Sequence, residues 1–152
     1  MNHLLKPINV LDRFQSLILT SARNFTKTEP LRFEAGPRKM TRCRVVDNSN
    51  LGKQAMLEGK PPKIIHVYNK TGVAVIGDKV LVAIKGLKKR AYVVGVKMRQ
   101  LGHNVPKLDT NNIVLLDDHG NPLGTRVLVP IPSLLRGRKE LSKICAIATK
   151  FV

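Results

Sequence analysis

The side chains of this chain that could do chemistry are almost all cations. Arg42 and Arg44 lie two residues apart and Lys53 follows; Lys85, Lys88, Lys89 and Arg90 crowd one turn; Lys97 and Arg99 continue beyond it; Arg136, Arg138 and Lys139 form a last cluster. A guanidinium makes forked contacts with phosphate, and a lysine ammonium acts as a mobile point charge. Over 152 residues, 27 Lys and Arg stand against 10 Asp and Glu, a net charge of +17. An excess of that size and single sign favours a polyanionic partner, of which a phosphate backbone is the usual one. A membrane-surface protein would need a basic amphipathic helix in its body, and none is read there. No apolar run approaches the roughly 18 residues of a membrane span.

Other chemistries fail on spacing. Cys43 and Cys145 are about a hundred residues apart with no Cys-x-x-Cys, and His3, His66, His103 and His119 are scattered, so no metal set is read. Both cysteines are expected to be reduced and largely buried thiols. Asp117-Asp118-His119 would offer an acid pair beside a base, but Gly120-Asn121-Pro122 follow directly and place all three on a tight turn. No Gly-rich phosphate loop occurs. The chain reads as a binding protein without catalysis, cofactor or metal.

The cations must be positioned by short strands. From about residue 40 the pattern is apolar runs separated by Gly, Pro and Asn. Thr41 to Asp47 alternates, with Arg42 and Arg44 on one face and Cys43 and Val45 on the other. Either those Arg side chains bind phosphate, or their stems cover apolar surface. Lys53 to Gly59 fits a strand or a short helical turn. Lys63 to Tyr68, Val80 to Ile84, Tyr92 to Met98, Ile113 to Leu116 and Arg126 to Val129 read as strands, with Gly86 to Lys89 as a turn and Gly102 to Lys107 as a loop. Ser133 is placed to cap a short helix ended by Gly137, and Glu140 to Ala148 carries helical apolar spacing. The expected fold is mainly β: a small closed barrel with one or two short C-terminal helices, preceded by an extended arm. A barrel that stacks single-stranded bases needs a cluster of rings, and beyond residue 40 there are only Tyr68, Tyr92 and Phe151, dispersed in sequence. Folded RNA, read through its backbone, suits this composition better.

Residues 1–28 hold Lys6, Arg13, Arg23 and Lys27 against Asp12, with Leu4, Ile8, Leu11 and Ile18 near one helical face and several hydroxyls. This fits a mitochondrial transit peptide over residues 1–25, cut near Phe25, or an ordinary amphipathic helix. Residues 26–39 read as an irregular arm, and 40–152 as the folded domain.

The order of the motifs resembles a known family. Asp117 to Pro130 reads DDHGNPLGTRVLVP. This is similar to the turn, Gly-Thr-Arg triplet and Pro-ended strand of the universal large-subunit ribosomal protein fourteen family. Arg44-Val45-Val46-Asp47-Asn48-Ser49 resembles that family's opening strand and turn, Gly77 to Lys85 its central strand, Ala91 to Val94 the next, and Leu108 to Leu116 its following one. The resemblance implies a five-stranded β-barrel with small C-terminal helices, in the mitochondrial form of the family. It implies binding to large-subunit ribosomal RNA, contact with small-subunit RNA across the interface, and ribosomal proteins three and nineteen as neighbours. It also implies a docking surface for the ribosome silencing factor that includes Thr125, Arg126 and, in the C-terminal helix, Lys143. The chain departs from bacterial members in two shortened basic loops, Lys85 to Arg90 and Gln100 to Lys107. The alternative is a free mitochondrial RNA-binding regulator.

Overall fold

In a computed structural model, the described residues are 36–98 and 106–152. Arg99, the expected transit peptide and the arm up to residue 35 lie outside them. The body follows from five strands and two short α-helices: β1 Arg44–Val45, α1 Asn50–Leu57, β2 Lys63–Val67, β3 Lys79–Ile84, β4 Leu87–Gly95, β5 Asn112–Leu116 and α2 Ser142–Ile147. The sheet order is β1-β5-β4-β3-β2. Strands β2 to β5 form an antiparallel meander, and β1 joins β5 in parallel.

The closed barrel is met only in part. The ladders give a five-stranded sheet with β1 and β2 at its edges. Those edges meet at one isolated bridge, Arg42 with Lys63, and through backbone bonds from Cys43 to the Pro62 carbonyl (2.9 Å) and from Ile64 to the Thr41 carbonyl (2.9 Å). Pro62 donates no N–H, which helps to keep this seam from lengthening into a ladder.

The segment read as strand or helical turn is α1. Ser49 is extended (φ −73°, ψ 142°), and its Oγ accepts the Gly52 N–H at 3.2 Å, so the helix starts there. It buries only Gly52 and Ala55, small residues that let it lie close on β1. Gly59, at φ +67°, ends it, with the Lys60 N–H bonding the Ala55 carbonyl at 3.0 Å. Strand β4 begins five residues earlier than its apolar run suggests. Lys85 and Gly86 both have positive φ (46° and 79°), the backbone of a two-residue hairpin turn whose twist matches the strands it joins.

The sheet is buried on both faces over much of its area. The inner cluster contains Cys43, Val45, Ile64, Val80, Val82, Ile84, Ala91, Val93, Ile113 and Leu115. The outer cluster sets Tyr92, Val94, Val114 and Leu116 against Val127, Ile131, Leu135, Leu141 and Ile144 of the C-terminal segment. Strand β5 is accordingly buried at every residue, as its unbroken apolar run requires. Arg126 to Val129, read as a strand, makes only isolated bridges: Val127 meets Asp47 on one side and Ala148 on the other. Ser133 opens a 3-10 turn through Gly137, with Pro132 at the cap position, and a second turn, Lys139–Leu141, leads into α2. No helix among the described residues is long and apolar enough to cross a membrane.

Both cysteines are free thiols, Cys43 buried and Cys145 half-buried. Burial pushes the Cys43 thiol up to about 12. Since the thiolate is the reactive form, a thiol reagent at neutral pH is expected to modify Cys145 in the native protein and Cys43 only as the chain unfolds. Peptide mapping after timed labelling checks this.

Candidate nucleic-acid interface

The strand alternation read around β1 holds. Arg42 and Arg44 are exposed, while Cys43 and Val45 between them are buried. The two guanidinium groups therefore project from the sheet and do not lie along its core. They line two neighbouring grooves. One is bounded by Arg42, Arg44, Met56, Pro61, Lys97 and Thr110. The other runs between α1 and the C-terminal segment, lined by Arg44, Val45, Lys53, Met56 and Leu128. Arg42, Arg44, Lys53 and Lys97, from four places in the sequence, thus share one side of the molecule. Lys97 is there because the Lys97 N–H bonds the Asn111 Oδ1 at 2.9 Å, which holds the end of β4 beside β1 and β5. Asp109 is the acid on the rim of the first groove.

A buried carboxylate fixes that side. Asp47 is 4% exposed. Its Oδ1 accepts the Ser49 hydroxyl at 2.7 Å and its Oδ2 accepts the Leu115 N–H at 3.2 Å. One side chain therefore ties β1 to β5 and orients the cap of α1. Gly124 packs directly on it: a Cβ there would stand 2.7 Å from the Asp47 Cβ and 2.8 Å from the Asn48 nitrogen. The Asn48 N–H bonds the Arg126 carbonyl at 3.0 Å, and the Asn48 amide donates to the Thr125 hydroxyl at 3.4 Å. The Asp-Asn-Ser turn and the Gly-Thr-Arg triplet, 77 residues apart at that last contact, are two halves of one joint. Thr125 and Arg126 remain exposed upon it.

Burial raises the Asp47 carboxyl above the ordinary carboxylate range, against the hydrogen bonds from Ser49 and Leu115, which pull the other way. A raised folded-state value adds stability that is complete below the ordinary carboxylate range and fades as pH rises through the raised value. Wild type is therefore expected to gain stability relative to D47N as pH falls from about 7 to about 4, the reverse of most carboxylates. Paired thermal melts across that range measure it.

The basic hairpin is corrected by the structure. The turn itself is only Lys85-Gly86, and Lys88, Lys89 and Arg90 belong to β4. Strand alternation splits them: Lys88 and Arg90 follow the face of Tyr92, and Lys89 follows the opposite face. Lys89 Nζ lies 3.7 Å from Asp118. Lys85 is engaged as well, its Nζ 2.6 Å from Glu58 and 3.2 Å from Gln54. That ammonium holds the exposed Glu58 carboxyl below its usual range. Lys85 thus staples the hairpin to α1. In the last cluster, the Arg136 guanidinium stacks on Phe151 at 3.8 Å, Arg138 lies 3.9 Å from Asp78 and covers Gly77, and Lys139 is exposed. Lys143, exposed on α2, donates to the Asn121 side chain.

Asp117-Asp118-His119 is a turn, as its neighbours suggested. The Gly120 N–H bonds the Asp117 carbonyl at 2.9 Å, Gly120 has φ +79°, and Asp118 and His119 are exposed. Among the described residues no His, Cys, Asp and Glu group could hold a metal ion. Lys63 and Lys79 escaped the sequence reading because each sits at a strand start among apolar residues. Period-two alternation was the available signal.

Residues 36–152 match the family of ribosomal protein L14p/L23e. A curated relative from Danio rerio, "Large ribosomal subunit protein uL14m", is 54% identical over 115 residues, covering 75% of this chain and 79% of the relative. These are structural proteins without enzymatic activity, consistent with a site made of cations on a rigid sheet. The match over the whole described body and the identity with this relative show that the chain belongs to the ribosomal protein L14p/L23e family.

Proposed function

We propose that this protein is a structural constituent of the large subunit of the mitochondrial ribosome and clamps large-subunit ribosomal RNA. The observation that carries the reading is the exposure of Arg42 and Arg44 over a buried Cys43 and Val45, beside Lys53 and Lys97. A fixed backbone brings these cations to phosphates with only the side chains left to order at the moment of binding. Lys88, Arg90, Arg136 and Lys139 form a second, more dispersed set, with Arg99 added from its sequence alone, while Lys85, Lys89 and Arg138 contribute less because acids already hold them. The curled sheet acts as a closed body, its edges tied at Arg42 and Lys63.

Within the particle the C-terminal side faces the small subunit and its RNA, with ribosomal proteins three and nineteen as neighbours. The silencing factor docks on Thr125, Arg126 and Lys143. Thr125 and Arg126 are held outward by the Asn48 bonds, and the turn carrying Asn121, partner of Lys143, leads directly into them.

Sedimentation of a matrix extract tests the proposal. The protein is expected to co-migrate with the large ribosomal subunit in stoichiometric amount and to stay there at moderate salt. Migration as free protein, or with RNA unrelated to the ribosome, would overturn it.

A further inference from the structure

The outer face of β2, β3 and β4 is only partly covered by the C-terminal segment, and what remains open has a composition of its own. Strand register lays out three rows. Lys63 pairs with Ala83 and Ala83 with Lys88; His66 pairs with Leu81 and Leu81 with Arg90; Lys79, whose carbonyl bonds the Tyr68 N–H at 3.3 Å, pairs with Tyr92. The bulge between Ile64 and His66 sets His66 and Tyr68 on this face while Ile64 and Val67 stay in the inner core. His66 and Tyr68 are both exposed, Tyr68 at 51%, and their rings meet edge to face with centroids 5.3 Å apart. The other two described Phe and Tyr rings are already occupied: Tyr92 is buried under Lys79, and Phe151 carries Arg136. Lys63, Lys79, Lys88 and Arg90 frame the open rings, and no acidic residue lies in the three rows. Asp78, next to Lys79 in the chain, is held by Asn69 and Arg138, and Glu140 accepts the Tyr92 hydroxyl.

Exposed rings on an open sheet, half-covered alkyl side chains between them and cations around them suit one ligand class. A nucleobase stacks on the ring face, and its flanking phosphates meet the ammonium and guanidinium groups. Duplex RNA hides its bases and offers nothing to the rings. We infer that the β2-β3-β4 outer face, with His66 and Tyr68 at its centre and Lys63, Lys79, Lys88 and Arg90 around them, is a stacking platform for unpaired nucleotides of RNA. Dispersed in sequence, the rings looked too few for such a site; the register supplies the cations and the second ring. The inference rests on the proposed ribosomal RNA binding and adds a second contact, which meets the Arg42–Arg44 grooves at the Arg42–Lys63 bridge and takes a different RNA structure.

The test uses the full chain with two RNA probes, a single strand of about ten nucleotides carrying one 2-aminopurine and a hairpin duplex of similar length. Wild type is expected to quench the 2-aminopurine as the base stacks. Y68A and Y68L are expected to abolish the quench and weaken single-strand binding by about tenfold, since Leu keeps bulk but has no π face, while duplex binding is unchanged. Y68F keeps the ring and is expected to behave as wild type. Y68L guards against a packing defect in Y68A, and thermal melts confirm folding of each. Quenching that survives Y68L, or is lost in Y68F, overturns the stacking role. Duplex binding without any quench by wild type overturns the platform alone and leaves the face to a protein neighbour. Binding of neither probe overturns the ribosomal RNA reading with it.

Discussion

Replacing Arg42 and Arg44 together by alanine is expected to weaken binding to large-subunit RNA on the order of a hundredfold at low salt, without loss of fold. Each guanidinium is worth about 1.5 kcal/mol when it meets phosphate, and about 3 kcal/mol for the pair is close to two decades of affinity. The dependence of log K on log salt is expected to flatten by about two, one for each lost phosphate contact. Folding is spared because both side chains point away from the core that Cys43 and Val45 enter. K85A is the contrasting variant. Lys85 is already paired with Glu58, so its removal is expected to change RNA affinity by less than about threefold. Filter binding or fluorescence anisotropy over a salt series reads both. Equal losses in the two variants would mean that affinity follows net charge and not the groove.

Gly124→Ala is expected to lower stability by about 3 kcal/mol, a fall in Tm of about 10 °C. The added methyl meets the Asp47 Cβ and the Asn48 nitrogen, both closer than any real Cβ contact. Asn48 is backbone at that point and cannot rotate away. Relief requires the two halves of the joint to separate, which strains the Asn48–Arg126 bond and disturbs the Asp47 contacts with Ser49 and Leu115. Gly137→Ala serves as the control, since nothing stands within 4 Å of its Cβ position and its φ is unexceptional. Its cost is expected to stay below about 1 kcal/mol in differential scanning calorimetry. If Gly124→Ala were equally mild, the joint would have no structural weight.

The strand cores were legible because apolar alternation survives translation into burial almost unchanged: Arg42 to Val45, Val80 to Ile84 and Ile113 to Leu116 were read where they occur. The start of β4 was not. A two-residue turn at Lys85-Gly86 followed by three cations has the composition of a loop, and only pairing with β3 reveals a strand. Helix α1 stayed ambiguous because its apolar residues are few and its burial depends on small ones, Gly52 and Ala55, which carry little periodic signal. The grooves proposed to take phosphate were half legible. Arg42 and Arg44 could be placed on one face from spacing alone. That Lys53 and Lys97 join them, and that Lys85 does not, depends on tertiary register. Gly124 and Asp47 were visible only as members of motifs resembling a family's, and their roles were not, because the reason for both is one contact between distant segments.

The parallel pairing of β1 with β5 has a consequence for the order of events during synthesis. Strands β2 to β5 follow one another through turns and can zip sequentially, but β1 waits for a partner 68 residues downstream, where Leu115 bonds Asp47. The grooves beneath Arg42 and Arg44 also need Asp109 to Asn111 and Leu128-Val129 for their walls. A nascent or truncated chain therefore carries most of its positive charge before it owns the surface that aims it. Under the proposed function, capture through these grooves reports that the chain has been made through Val129 and that β1 has closed on β5, a checkpoint built from topology.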